Sequence, residues 1–570
     1  MVINLFWMAL ACGGGDKPAD PGTDGATETT DPTDGTTDGT TDTTDAGPSW
    51  QDDVVLAEMA PVDLLTRVSL DLRGVRPDEA DIARVESDAS AVDDLALAYM
   101  ESERFSERVV QIFSEIYLTR LDAFTLSADA FGMDDVPGFN DAVGQEPLRI
   151  LAHVAASDLP WTETVTADYT VANALLVDAW ELEYTGDGAG EWRPAIYPDS
   201  RPASGVLATN GLWWRYSTTA SNANRGRANQ ISRILLCNDY LTREIAFDRN
   251  TDLLDEEAIN DAIATNPACV NCHNSLDPLA AYLYGFWVYN DQSYLEMSTY
   301  HPERERLYDD YLGVSPSFYG EPGDNLTDLG QQIAGDVRFP ACVVEQVYGA
   351  LLDRTVDSGD MNPLTGHREA FLDSGLLLKA LMASVIADTR YRAVDSSDPD
   401  VDAVDAPTAK MVSPDQLSSQ VEALTGFRWT YADYDMLATD QIGLRTLAGG
   451  ADGRAVIKNA QSPNATLVLV QQRLAEAAAS HAVAAEIEQV AGQRALFTEV
   501  DFTETDPDAL APQLQRLHLL VLGDRVDLDG EEVAAGLDLW AELHAIDDDP
   551  AAAWTGLLTA LLRDPDFLFY

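Results

Sequence analysis

The sequence predicts a mainly α-helical protein, in which several helical bundles follow one another along 570 residues. From Trp50 onward, windows rich in Ala, Leu, Glu and Arg recur, and their apolar residues return every three or four positions, the period of an amphipathic helix. No run of alternating apolar and polar residues indicates a sheet. The clearest predicted helix spans residues 471–491, which are rich in Ala and contain neither Gly nor Pro.

Three segments of the chain share one order of features, which predicts a repeated helical module. Each segment begins with a leucine-rich helix, passes a polar turn and further helix, and ends at an aromatic residue that follows an acidic or serine-bearing turn. The segments begin at Leu64, Val347 and Leu514, and they end at Phe105, Tyr391 and Phe567. Such a module packs helices together and carries no chemistry of its own.

Two segments unfavourable to helices divide the chain into predicted domains. Residues 184–202 are rich in Gly and Pro, and residues 393–414 form an acidic linker without an apolar period. The sequence therefore predicts an N-terminal helical domain over 50–195, a central domain with a following helical module over 196–395, and a C-terminal helical domain over 410–570.

The first 49 residues predict an export signal and a tether. The apolar run from Val2 to Ala11 ends at Cys12 and resembles a bacterial lipoprotein signal over residues 1–12, although no Lys or Arg precedes the run. About ten apolar residues are too few to span a bilayer. Residues 13–49 consist mostly of Asp, Thr, Gly and Pro and have little to bury. We therefore expect an exported protein at the bacterial envelope, attached to the membrane only through lipid on Cys12.

The chain is strongly acidic, which limits its partners. It contains 97 Asp and Glu against 35 Lys and Arg, so its formal net charge is −62. This charge repels phosphates and anionic lipid headgroups, which argues against nucleic acid as a partner. A solvated acidic surface that favours solubility is the simplest interpretation, and attraction of a basic partner protein is the alternative.

One short motif carries chemistry. Cys269, Cys272 and His273 form C-x-x-C-H, the attachment signal for c-type haem. With five Cys and seven His in 570 positions, a chance match has a probability on the order of 10⁻³. On a helix, residues three and four apart share a face, so two thiols can hold the haem while His273 ligates its iron.

The flanking residues predict a short helix around this motif. Asn266 and Pro267 suit a helix start, because proline is tolerated in the first turn. Asp277 and Pro278 predict that the helix ends within one turn after His273, because the residue before a proline disfavours helical backbone.

The remaining cysteines leave alternatives open. Cys237 and Cys342 can form one structural disulfide or remain buried thiols. They can also join the motif in a Cys₄ zinc site. A thioredoxin-like redox pair is disfavoured, because no βαβ pattern surrounds the motif.

The motif and its surroundings resemble a known family. Residues 266–273 followed by Leu-Asp-Pro-Leu at 276–279 are similar to the third planctomycete cytochrome C domain family. The opening of that domain is similar to residues 205–211 and 225–237. The domain that usually precedes it is similar to residues 176–178, and the domain that usually follows it is similar to residues 339–354. Residues 64–82 are similar to the second planctomycete cytochrome family, and residues 413–491 resemble a domain commonly attached to it.

The resemblance implies one covalent haem c in a cytochrome-like central domain. This chain departs from the family pattern at two places. Ala280 and Ala281 replace Gly-Phe after the motif, and Asp353 precedes Arg354 where the family has Gly-Arg. The C-x-x-C-H residues themselves are intact.

The sequence indicates less clearly which residues would form the second axial ligand of a haem and the partners of its propionates. The candidates for the second axial ligand are Met297, His301, Met361 and His367. Met361 is favoured, because it begins a predicted loop, "GDMNPLTGH" after a helix, that can lie over a haem face. Arg225 and Arg227 either pair with haem propionates or face solvent.

These observations predict an exported, lipid-anchored, c-type cytochrome-like protein that passes single electrons to a redox partner protein. No G-x-S-x-G, H-E-x-x-H or P-loop motif indicates a hydrolytic enzyme. The alternative is a non-redox binding or structural protein whose C-x-x-C-H is vestigial or disulfide-bonded. A third hypothesis is a haem with an open sixth position that oxidises a substrate as a peroxidase does.

Overall fold

The structure is a computed structural model, and it describes residues 56–120, 126–134, 138–186, 188, 190–243, 255–287, 293–396, 409–432, 434–440 and 443–570. The predicted signal with Cys12 and the predicted tether over 13–49 lie outside these residues. The described part contains 23 α-helices and nine short strands, which confirms the mainly α-helical fold class. None of its helices is long and apolar enough to cross a membrane.

Eighteen of these helices precede the acidic segment at 397–408. They are α1 (Pro61–Arg73), α2 (Glu79–Ser87), α3 (Ala91–Tyr99), α4 (Glu103–Tyr117), α5 (Phe139–Ala156), α6 (Glu163–Thr166), α7 (Ala174–Trp180), α8 (Asn210–Arg215), α9 (Arg225–Leu236), α10 (Glu256–Thr265), α11 (Pro267–Ala281), α12 (Tyr294–Met297), α13 (Tyr308–Tyr311), α14 (Leu326–Gly335), α15 (Arg338–Leu352), α16 (Met361–Asp373), α17 (Leu378–Ile386) and α18 (Thr389–Arg392).

Five helices follow that segment. They are α19 (Pro414–Thr425), α20 (Ala465–Glu486), α21 (Pro507–Leu517), α22 (Glu531–Asp547) and α23 (Pro550–Leu562). The helix predicted over 471–491 is α20, which begins earlier because the side chain of Asn464 caps it by accepting the Leu467 N–H. It also ends earlier, at Glu486. The carboxylate of Glu486 accepts hydrogen bonds from the N–H groups of Leu496 and Phe497, so the chain turns back towards the end of the helix.

The strands form four small antiparallel sheets. The strands are β1 (Leu56–Glu58), β2 (Thr170–Ala172), β3 (Glu183–Tyr184), β4 (Arg193–Ile196), β5 (Ser317–Phe318), β6 (Glu321–Pro322), β7 (Ala393–Ser396), β8 (Thr430–Tyr431) and β9 (Tyr434–Asp435). β1 pairs with β7, β4 lies between β2 and β3, and the other two sheets are the hairpins β5–β6 and β8–β9. The β1–β7 pair joins the two ends of the chain segment that precedes 397–408.

Two large hydrophobic cores organise the helices. The first core draws its buried side chains from Leu64 to Tyr391, and the second from Met411 to Leu568. The first core thus combines residues of the segments predicted as 50–195 and 196–395, and the second lies within 410–570. The domain boundaries themselves stay predictions.

The three segments with a shared sequence order differ in the helices they contain. The first extends from α1 into α4, the second from α15 into α18, and the third from α21 to just beyond α23. The aromatic residue that closes each segment is buried: Phe105 and Tyr391 in the first core, and Phe567 in the second.

A buried carboxylate on α1 connects the two cores. Asp71 accepts hydrogen bonds from the Tyr391 hydroxyl at 2.8 Å, the Lys410 ammonium at 2.5 Å and the Tyr570 hydroxyl at 2.8 Å. Lys410 and Tyr570 also pair through their backbones. Burial lowers the pKa of Lys410 to about 8, although Asp71 opposes this shift. Asp71 thereby ties the second core to the first.

A second buried ion pair makes the same connection. Asp415, at the start of α19, lies 2.7 Å from Arg120, which follows α4, and 2.9 Å from Arg445. Burial on its own would raise the pKa of Asp415, but the two guanidinium groups hold that pKa well below its ordinary value. The charge of Asp415 is therefore compensated from both cores.

Candidate functional site

The C-x-x-C-H motif lies in the first two turns of α11. The helix begins at Pro267, and the side chain of Asn266 caps it by accepting the Ala268 N–H at 3.0 Å. This confirms the predicted helix start. Because Cys269, Cys272 and His273 are helical, their spacing places them on neighbouring positions of one side of α11.

The predicted end of this helix is wrong. α11 continues through Pro278 to Ala281, one turn beyond the predicted end. Leu279, Ala280 and Ala281 are almost completely buried in the structure, and their burial outweighs the backbone hydrogen bond that Pro278 cannot donate. Because the helix continues, Asp277 lies one turn after His273 on the same side of α11.

Asp277 orients the imidazole of His273. Its Oδ1 atom lies 2.9 Å from Nδ1 of His273, and Arg225, the first residue of α9, donates to both carboxylate oxygens at 2.7 and 3.0 Å. Burial would raise the pKa of Asp277, but hydrogen bonds from His273 and Arg225 hold it below its ordinary value. An ionised Asp277 assigns the imidazole proton to Nδ1 and leaves Nε2 as the basic nitrogen.

The Nε2 atom of His273 has no hydrogen-bond partner in the part of the chain that the structure describes. About a quarter of the side chain is exposed. A ligating histidine commonly donates its second nitrogen to a carboxylate, which sets its orientation and raises its basicity. The Nε2 atom of His273 is therefore available to a further partner.

The four cysteines of the described region fall into two pairs. Cys237 and Cys342 form a disulfide, whereas Cys269 and Cys272 are free thiols. The disulfide decides between the alternatives for Cys237 and Cys342, and it removes them as ligands of a Cys₄ zinc site. Across the described ranges, no group of three or more His, Cys, Asp or Glu side chains is arranged to hold a metal ion.

Buried aromatic residues lie beside the Arg225–Asp277 pair. Tyr284 and Trp287 stack with ring centroids 5.0 Å apart, and Tyr311 lies 4.9 Å from Trp287. Arg225 and Asp277 both act on the Tyr284 hydroxyl, whose pKa burial raises. Tyr284 is 0% and Trp287 2% exposed, yet the Tyr284 hydroxyl and the Trp287 Nε1–H have no partner among the described residues.

These residues fit the group that the motif predicts. Two free thiols and a free imidazole nitrogen are the donors that covalent haem attachment requires.

The predicted second axial ligand lies on an exposed surface. Met361 is the first residue of α16 and is 62% exposed. Its segment is a helix and not the predicted loop, because Pro363 falls in the first turn, where proline is tolerated. α16 packs on α15 and α17, whereas α11 packs on α9, α10 and β5. Met361 as an iron ligand stays a prediction.

The alternative histidine ligands use both ring nitrogens elsewhere. His301 contacts the Glu303 carboxylate at 3.0 Å and the Glu296 carbonyl at 3.1 Å. His367 is buried, with its nitrogens 2.9 Å from Ser384 and 3.0 Å from Asp388. Met297 is partly buried at the end of α12. Either histidine would have to give up a hydrogen bond before it could ligate iron.

Neither Arg225 nor Arg227 of α9 is mainly exposed to solvent, and their pairing with haem propionates stays a prediction. Arg227 is buried and donates to the carbonyls of Tyr216 and Phe286, and burial lowers its pKa to about 9. Arg225 pairs with Asp277. Sequence reasoning missed Asp277 as the partner of His273, although the four-residue spacing would have indicated it if the helix had been predicted to continue.

No family model, curated protein or solved structure matches this chain. The resemblance to the planctomycete cytochrome families therefore rests on the sequence motifs and stays a prediction.

Proposed function

We propose that this protein carries one covalent haem c, attached to Cys269 and Cys272 and ligated by His273, and that it transfers single electrons. The observation that supports the proposal is the His273–Asp277–Arg225 chain of contacts, which engages Nδ1 and leaves Nε2 free beside two free thiols. A bound haem supplies an iron that gains and loses one electron.

The residues around the motif have distinct roles in this proposal. Asp277 holds the proton on Nδ1 and keeps the ring in one orientation. Arg225 binds both oxygens of Asp277 and prevents the carboxylate from rotating away.

The partner and the location follow from the composition. We propose export and a lipid anchor on Cys12, because an apolar run and an Asp/Thr-rich tether precede the folded part. A net charge of −62 favours a redox partner with a basic surface, since opposite charge accelerates encounter.

A test of haem attachment uses the chain with an export signal in a host that matures c-type cytochromes. After denaturation, the pyridine haemochrome spectrum should report one haem per chain. Cys269→Ser and Cys272→Ser should each lower the retained haem. Asn271→Ser is the matched control, because it changes an exposed side chain between the two thiols, and it should retain haem. A haem-free chain in which Cys269 and Cys272 are disulfide-bonded to each other would reject the cytochrome proposal and support the non-redox alternative.

The second axial position needs its own variant. If Met361 ligates the iron, Met361→Ala should remove the absorption band of methionine-to-iron ligation from the oxidised protein. Met297→Ala is the control, and it should leave the band in place. An unchanged spectrum of Met361→Ala would eliminate Met361 as the ligand.

A further inference from the structure

A cavity of about 720 Å³ lies between the first and second cores. Residues of α4 and the end of α15 line it on one side, and residues 409–416 and 458–461 line it on the other. No residue of α11 lines it, so this cavity is separate from the C-x-x-C-H motif. Its volume is typical of small-molecule sites.

One arginine in this cavity donates hydrogen bonds only to neutral groups. Arg108 is 9% exposed; it donates Nε to the Asp71 carbonyl at 3.1 Å and Nη1 to the Gln111 side chain at 2.7 Å. Both partners are neutral. Within the described ranges, Nη2 has no hydrogen-bond partner, and no carboxylate forms an ion pair with Arg108. A buried guanidinium group with free donors is suited to bind a carboxylate.

Three carboxylates line the same cavity. Glu115 accepts a hydrogen bond from Asn459 at 2.5 Å, Glu345 lies in the middle of α15, and Asp353 follows the last residue of that helix. None of the three forms an ion pair with a described residue. Burial raises the pKa of Glu115 to about 7, although Arg445 and Arg108 oppose the shift. A cation next to these groups would compensate their charge.

The geometry of α4 separates the two kinds of charge. Arg108 and Glu115 are seven residues apart on this helix, which corresponds to about two turns and a rise of about 10 Å. A ligand that contacts both needs a negative and a positive end several ångströms apart. A simple anion would also be repelled by the net charge of −62, and a simple amine would leave Arg108 unpaired.

We propose that this cavity binds an extended zwitterion, whose carboxylate pairs with Arg108 and whose ammonium group pairs with Glu115. A short peptide and an ω-amino acid share this chemistry. The proposal does not depend on the haem.

Three probes of similar size test the proposal by calorimetric titration of the full chain. They are 6-aminohexanoate with both charges, hexanoate with the carboxylate alone, and hexylamine with the ammonium group alone. We expect 6-aminohexanoate to bind about tenfold more tightly than either of the others, since each charged contact contributes about 1.5 kcal/mol or more. If hexylamine binds as tightly as 6-aminohexanoate, the cavity recognises only the positive charge. If hexanoate binds as tightly as 6-aminohexanoate, the cavity recognises only the negative charge. Either result, or no binding of 6-aminohexanoate, overturns the proposal.

Trialanine distinguishes the two sources of this chemistry. Tighter binding of trialanine than of 6-aminohexanoate would assign the cavity to short peptides, and weaker binding would assign it to non-peptide zwitterions. Trialanine blocked at both ends by acetyl and amide groups is the control, and it should bind at least about tenfold less tightly. Equal binding of the blocked peptide would overturn recognition through charge.

Variants connect the binding to the named residues. Arg108→Gln should abolish the preference for 6-aminohexanoate over hexylamine. Glu115→Gln should abolish the preference for 6-aminohexanoate over hexanoate. Arg104→Gln and Glu103→Gln are matched controls, because both residues lie exposed on the same helix, and they should keep both preferences. If thermal unfolding shows that Arg108→Gln does not fold, Glu115→Gln decides alone, since glutamine has the shape of glutamate and can still accept from Asn459. Unchanged preference in Glu115→Gln overturns the proposal.

Discussion

Replacement of Asp277 by asparagine perturbs the candidate site with the smallest change of shape. The carboxylate accepts one hydrogen bond from His273 and two from Arg225. Asparagine has no negative charge, and its amide group has a single acceptor oxygen. At least one of these three donors therefore loses its partner, and the guanidinium group of Arg225 loses its counter-charge.

The contacts determine the expected magnitude. A hydrogen bond to a charged group contributes about 1.5–3 kcal/mol when it is buried. The side chains of Arg225 and His273 are 19% and 24% exposed, so water replaces part of what is lost. We expect the free energy of unfolding of the haem-free chain to fall by about 2 kcal/mol.

The same substitution should change the reduction potential of the haem form. A carboxylate that accepts the Nδ1–H of His273 makes Nε2 more basic, which favours the oxidised iron. Loss of the carboxylate should therefore raise the midpoint potential by tens of millivolts, since 1.4 kcal/mol corresponds to about 60 mV for one electron.

Two assays measure these effects separately. Urea unfolding of the haem-free chain gives the change in stability, and a spectroscopic redox titration of the haem form gives the midpoint potential. Asp261→Asn is the matched control, because it removes the same charge from an exposed position on α10, and it should change neither quantity. A folded Asp277→Asn protein with one haem and an unchanged potential would refute the role assigned to Asp277.

Three further predictions concern the described fold. Asp415→Asn should lower the free energy of unfolding by about 3 kcal/mol in urea, because it leaves the buried Arg445 without a carboxylate and leaves Arg120 with only Asp141 at 3.9 Å; a loss below about 1 kcal/mol would contradict this. The pKa of Glu115 is about 7 in the folded chain, against an ordinary value of 4.5. Between these two pH values the folded chain binds more protons than the unfolded chain, so the free energy of unfolding falls as pH rises through this range. Glu115→Gln should therefore raise the free energy of unfolding by about 2 kcal/mol at pH 8 and have little effect at pH 4.5, whereas an equal effect at both pH values would argue against it. Replacement of Cys237 and Cys342 together by serine should lower the stability by about 4 kcal/mol, because the disulfide closes a separation of 105 residues, and an unchanged urea midpoint would contradict that.

Local patterns predicted part of the candidate site. The start of α11 follows from Asn266 and Pro267, which act within one turn, and the grouping of Cys269, Cys272 and His273 follows from helical spacing. The end of α11 was predicted wrongly, because Pro278 disfavours helix locally while burial of the next residues depends on the rest of the fold. Asp277 was missed for this reason.

The helical class, the C-x-x-C-H motif and the side of α11 that carries it can be predicted from the sequence, because they depend on residues within a few positions of one another. Contacts between distant groups become visible only in the folded chain. Arg225 reaches Asp277 across 52 residues, and Cys237 reaches Cys342 across 105. Such contacts depend on how helices pack around a shared core, and the same local patterns are compatible with many packings. The counter-charge of Asp277 and the unpaired charges between the two cores are therefore properties of the folded chain.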